Sequence, residues 1–311
     1  RLVDGTVVVE AAQVLGQAVA GAASRDRAPA GDPSTTSSVA AADLLAHALE
    51  LDPTRVVVGV GGLVSHDAGA GLLAGLGLDA PVLRSGGAGL AGTGQADLSG
   101  LPDLIADVAR RFAGVPLEVA ADVEVPVLGL HGASALLAVP DATPATLAPT
   151  QAQALEHALA QLVHAIGSVL GPGRVRELAG TRGAGAGGGL AFALALLGGR
   201  IRVGADLVGE LVDLDRRTSS ADLVVTTTRV LDPHALHDSP VSACARAAAR
   251  HALPVVVLAG ESLLGRREQA AQGLAGVYPL LDPGARGATG SEEPAAALRA
   301  RAVRVARTWS R

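Results

Sequence analysis

The sequence contains no lysine, no asparagine and no methionine, and all 25 of its basic residues are arginine. Absence of lysine excludes Schiff-base chemistry and every lysine-dependent phosphate site, the P-loop lysine included. A single cysteine, Cys244, excludes an internal disulfide and a cysteine-based metal site. Its apolar, helix-like surroundings suit a small buried residue. Only four aromatics occur, so nothing provides stacking platforms for bases. No apolar run of membrane-spanning length is free of charge, and the first residues lack the basic-then-apolar pattern of a signal peptide. A soluble, cytoplasmic protein is the expectation, with a core of Val, Leu and Ala.

What is present is bulk enough for folding. The chain has 311 residues, 49% apolar and 18% charged, with 40 glycines and a net charge of −5. This composition excludes a disordered chain, and its mixed acidic balance is not the footprint of a nucleic-acid binder. It begins at Arg1, which we read as a processed, trimmed or incomplete chain.

Short valine-rich runs alternate with longer Ala/Leu segments, an α/β pattern. Strands are expected at Thr6–Glu10, Arg55–Gly59, Leu117–Ala121, Asp222–Thr226, Pro254–Ala259 and Val277–Leu280. Three of them read VV or VVV without alternation, as strands covered on both faces do. Helices are expected at Val39–Leu49, Ala70–Leu76, Leu101–Phe112, Thr150–Leu170, Val241–His251 and Pro294–Trp309. The Thr35–Ser38 cluster offers an N-cap to the first of these. Ser24–Ser38, Arg84–Gly94, Asp141–Pro149 and Asp282–Glu293 read as linkers.

Two glycine loops carry the strongest chemical signal. The first, Gly59 to Gly71 (GVGGLVSHDAGAG), lies between a strand and a helix, where backbone N–H groups can approach an anion closely. The second, RGAGAGGGLAFAL, fits G-x-G-x-x-G from Gly183 to Gly188 but follows a helix-like segment, which argues against a dinucleotide fingerprint. Ser65, His66 and Asp67 are adjacent in sequence and so cannot face one another as a triad; the same holds for His237, Asp238 and Ser239. His157 and His164 read as a solvated helix surface and not as metal ligands.

Six ordered blocks resemble the class I bacterial glycerate kinases. They are DGTVVVEAAQVLG, the segment from TTSSVAAADLLAHAL through RVVVGVGGLVSHDAGAGLLAGLG, EVAADVEVPVLGLHGASALLAV, RGAGAGGGLAFAL, ADLVVTTTRVLDPHAL and LPVVVLAG. The resemblance implies two α/β domains, one Rossmann-like and the other inserted into it. Residues 1–205 would form the inserted domain and 206–311 the C-terminal part of the Rossmann-like one. It implies ATP-dependent phosphorylation of glycerate or a similar acid, with Mg-ATP. Asp67 and Asp232 would be catalytic, with Asp67 and Asp122 on the metal. Gly61, Gly62, Ser65, Gly69, Asp122, Gly183, Gly185, Arg182 and Arg229 would bind nucleotide or substrate.

The departures from the family pattern are specific. The family's APDSFKG and ADGGEGT segments would precede this chain. Its Ser-Ala-Thr-Asn run is Leu63, Val64, Ser65 and His66, and its Gly-Glu-Gly-Arg run is Thr227, Thr228, Arg229 and Val230. The family's Asn-Pro pair is Val125–Pro126, and its motif lysines, near Pro140–Asp141 and Asp238–Ser239, are gone. Impaired activity is therefore the expectation, and the alternative is a non-catalytic relative that binds a small anion or nucleotide. An exposed sheet edge in the C-terminal part implies a possible homodimer. No nucleic-acid or membrane partner is expected.

Overall fold

A computed structural model describes residues 2, 4–16, 31–139, 146–233, 239–280 and 294–310. It forms two compact units, Arg1–Val203 and Gly204–Arg311.

The first unit holds a four-stranded parallel sheet in the order β1 (Thr6–Glu10), β2 (Arg55–Gly59), β3 (Leu117–Ala121) and β4 (Arg200–Val203). The Arg55–Gly59 strand buries Val56, Val57 and Val58 together, because the sheet is covered on both faces. β4 is not evident in the sequence: it has four residues and carries two arginines. Arg202 is held there by Glu118 of β3, at 3.1 Å, and Glu118 also pairs with Arg55 at 3.2 Å. Around the sheet lie helices α1 (Ala12–Leu15), α2 (Ala41–Glu50), α3 (Ala70–Gly75), α4 (Leu101–Arg111), α5 (Ala133–Leu136), α6 (Pro149–Leu170), α7 (Pro172–Ala179) and α8 (Leu190–Leu196). The core is Leu, Val and Ala, with Phe192 fully buried among them. His157 and His164 are exposed on α6.

The second unit is a three-layer arrangement around the parallel sheet β5 (Val224–Leu231), β6 (Val255–Ser262) and β7 (Leu274–Pro279). Its helices are α9 (Gly204–Leu211), α10 (Leu214–Ser219), α11 (Pro240–Arg250), α12 (Arg266–Ala271) and α13 (Pro294–Trp309). Alternate residues of β6 face opposite ways. Val255 and Val257 pack in one cluster with Val241 and Ala248 of α11, whereas Val256 and Leu258 pack with Val305 of α13. The Trp309 indole N–H donates to the Tyr278 hydroxyl at 2.9 Å, which pins the last turn of α13. β5 is an edge strand among the described residues, and Val225 on it is 52% exposed.

Several sequence expectations are corrected here. The Ser/Thr cluster does not cap α2, because Ser38 opens a 3₁₀ turn (Ser38–Ala40) and turns its hydroxyl elsewhere. Arg84–Gly94 is no free linker: the short turns Pro81–Arg84 and Gly87–Leu90 bury Leu83 and Leu90 completely. Cys244 is half-buried. β5 runs five residues past its expected end, so Thr227, Thr228, Arg229 and Val230 are strand and not loop. The β-branched threonines and valine suit a pleated strand, and Thr227, Thr228 and Val230 are in register with Leu258, Ala259 and Glu261 of β6. Asp282–Glu293, residues 24–30 of Ser24–Ser38, the start of Asp141–Pro149, Pro140–Asp141, His237 and Asp238 lie outside the described residues.

Candidate functional site

The two glycine loops, more than a hundred residues apart in sequence, are side by side in the first unit. The Ala68 N–H donates to the Gly188 carbonyl at 2.9 Å. Gly188 has φ +63°, and a Cβ there would overlap the Ser65 carbonyl oxygen and lie 2.6 Å from the His66 Cα. Only glycine permits that conformation and that approach together. On its other side the second loop meets the segment after β3: the Gly185 N–H donates to the Val125 carbonyl at 2.9 Å. Glycines at 183 and 185 fit against Ile201 and the Pro126 carbonyl respectively.

Between these segments is a small, partly open cleft of about 70 Å³. Its walls come from Gly62–His66 of the first loop, Gly185, Gly187 and Gly188 of the second, Asp122 and Val123 after β3, and Ala133, Leu136 and Leu137 at α5. Among the described residues, the N–H groups of Gly187 and Gly188 donate to no protein acceptor. The Ser65 hydroxyl, on a residue only 2% exposed, also has no partner. Gly187 and Gly188 are half-buried, whereas an unpaired hydroxyl as deep as that of Ser65 is uncommon; all three suit a ligand's oxygen atoms.

His66 does not approach Ser65 or Asp67 as a triad would. Its Nε2 lies 2.9 Å from the Ser134 hydroxyl, and burial pushes its pKa from 6.5 down to about 4. Ser134 went unnoticed in the sequence, since nothing local marks a serine 68 residues away as a partner.

Asp67 is fully buried and does not line the cleft. Its Oδ2 accepts from the Ser38 N–H (2.8 Å), the Ser38 hydroxyl (2.9 Å) and the Gly71 N–H (3.1 Å), while Oδ1 accepts from the Gly69 N–H (3.0 Å). The Ser38 hydroxyl in turn accepts from the Leu72 N–H at 3.1 Å. Asp67 and Ser38 thus satisfy the open N–H groups at the start of α3. Burial raises the Asp67 pKa above 3.8, and the hydrogen bonds from Ser38, Gly71 and Gly69 oppose that rise. Asp67, expected to be catalytic and on the metal, is in this structure saturated by protein donors and faces the protein, where it anchors the loop.

The remaining expected residues separate. Gly61 packs against the Asp122 side chain, and Asp122 is exposed on the cleft wall. Gly69 has φ +73° at the start of α3 and fits against Ala193. Arg182, exposed beside the second loop, forms an ion pair with Glu124. Arg229 and Asp232 belong to the second unit, exposed on β5 and half-buried just after it. Among the described residues no group of three or more His, Cys, Asp or Glu could hold a metal ion. No helix there is long and apolar enough to cross a membrane.

The profile of the glycerate kinase family matches residues 1–310. The chain is 32% identical over 235 residues to a glycerate kinase of Bacillus subtilis (strain 168), covering 74% of this chain and 58% of that protein. Against a glycerate 2-kinase of Escherichia coli (strain K12) it is 28% identical over 235 residues, with the same two coverages. The fold resembles a crystal structure described as that of a glycerate kinase 2 from Salmonella typhimurium LT2, with a TM-score of 0.62, 28% identity and coverage of 98% of this chain and 77% of that one. The chain spans 58% of the length of these curated relatives. It belongs to the glycerate kinase family.

Proposed function

We propose that this chain takes part in ATP-dependent phosphorylation of glycerate or a similar small hydroxy acid, at a rate lowered by its altered motifs. The observation that carries the reading is the packing of the two glycine loops around one cleft whose Gly187, Gly188 and Ser65 donors are unpaired. Phosphoryl transfer is mostly positioning, and these donors can hold the carboxylate and a hydroxyl of the acceptor acid. Asp122 is the one carboxylate on the described cleft wall and is the residue placed to orient an acceptor hydroxyl. In this reading residues 1–205 are the inserted domain and 206–311 the C-terminal part of the Rossmann-like one.

The family implies Mg-ATP. The described residues do not form a resident magnesium site, because Asp67 is saturated by its donors and Asp122 has no second carboxylate beside it on the cleft wall.

A second reading, a non-catalytic relative that binds a small anion or nucleotide, is favoured by the strand conformation of Thr227–Val230. Paired along β6, that run does not fold as a loop around a phosphate. A coupled ADP-release assay with glycerate, beside thermal-shift titration with Mg-ATP, separates the two. Turnover well below the usual kinase range of roughly 1–100 per second supports the first reading, and turnover within that range refutes the impairment. A ligand-dependent melting shift without turnover supports the second. Neither signal refutes both.

A further inference from the structure

We propose that Ser65 and His66 form a hydroxyl-binding subsite on the cleft wall, which takes one uncharged alcohol group of a small hydroxy acid. This rests on the reading of the cleft as the acceptor-substrate site. Both residues line the cleft and are nearly inaccessible, at 2% and 3% exposure. The Ser65 hydroxyl has no protein partner. The Ser134 hydroxyl holds the His66 ring through Nε2, which fixes its orientation and leaves Nδ1 as the nitrogen not committed to Ser134. Ser134 is itself 1% exposed, so this tether is sheltered from water.

The chemistry of this pair matches an alcohol. A serine hydroxyl and an imidazole each exchange hydrogen bonds with a group that both donates and accepts. Among the described residues of the wall there is no arginine, so a carboxylate or phosphate pressed between Ser65 and His66 would lose its hydration without a cation in return. The open N–H groups of Gly187 and Gly188, on the same cleft, suit the anionic end of such a ligand. A site whose buried polar groups expect a hydroxyl rejects the analogue lacking it, because those groups are then left unpaired.

Isothermal titration with glycerate and with propionate, which keeps the carboxylate and lacks the hydroxyls, tests the subsite. The wild type should bind glycerate about tenfold or more tightly. Ser65→Val should erase that preference, while Ser65→Thr, which restores a hydroxyl, should keep it. Ser134→Ala should weaken glycerate and leave propionate unchanged, a split that general loosening of the fold would not produce. Equal binding of the two acids by the wild type, a preference retained in Ser65→Val, or binding of neither acid overturns the subsite. Hydroxyl-dependent binding without ADP release leaves the subsite standing and removes the kinase reading. ADP release by Ser65→Val with an unchanged KM for glycerate removes the subsite alone.

Discussion

Asp67→Ala isolates the anchor beneath the first loop. The substitution leaves the Ser38 N–H and hydroxyl and the Gly69 and Gly71 N–H groups without their acceptor, in a place where Ser38 and Asp67 are both fully buried. Four lost hydrogen bonds at about 1 kcal/mol each give about 4 kcal/mol. Relief of the carboxylate's own desolvation offsets part of this, and collapse of the start of α3 adds to it. The expected net loss is about 3–4 kcal/mol, near the upper end for one substitution. For a unit of this size that lowers the melting temperature by about 6–16 °C. Asp67→Asn should cost less, about 1–2 kcal/mol. Its carbonyl can still face the three donors now on Oδ2, so only the Gly69 bond is lost. Urea unfolding followed by circular dichroism gives the order wild type, Asn, Ala. An Ala variant within about 1 kcal/mol of wild type, below the cost of one buried donor left unpaired, would refute the anchor. If that variant also lost its response to Mg-ATP, the carboxylate would be a ligand after all.

Acid should weaken the fold through His66. Its folded pKa of about 4 lies below the unfolded 6.5, so the unfolded chain binds the extra proton between those values and stability falls as pH drops through that window. The contribution is about 3 kcal/mol. His66→Gln should remove about one proton from the pH dependence of unfolding between pH 4 and 6.5, and an unchanged slope would count against a buried neutral ring. Gly188→Ala forces a Cβ onto the Ser65 carbonyl at φ +63° and should cost about 2–4 kcal/mol while abolishing glycerate binding. A variant that melts within about 0.5 kcal/mol of wild type, the range of a neutral surface change, would show that the loops are not in contact.

The α/β class was legible because short valine-rich runs alternate with longer Ala/Leu segments. The helices expected at Leu101–Phe112 and Thr150–Leu170 are Leu101–Arg111 and Pro149–Leu170 in the structure, the second beginning on a proline that read as linker. β4 was not legible, since its arginines look polar until Glu118 on the neighbouring strand is seen to neutralise one of them. The end of β5 was not legible: the expected strand stops at Thr226, whereas Thr227–Val230 continue it in register with β6.

For the site, the sequence by itself determined which segments could approach a ligand closely, because glycine's conformational freedom is a property of the residue. Tertiary structure alone decided the partners. It brought Gly188 against Ser65 and placed Ser134 on His66. It also turned Asp67 inward to Ser38, away from the cleft. A carboxylate reads the same in a sequence whether it meets solvent, a ligand or four N–H and O–H donors; only the fold sets its surroundings, and with them its chemistry.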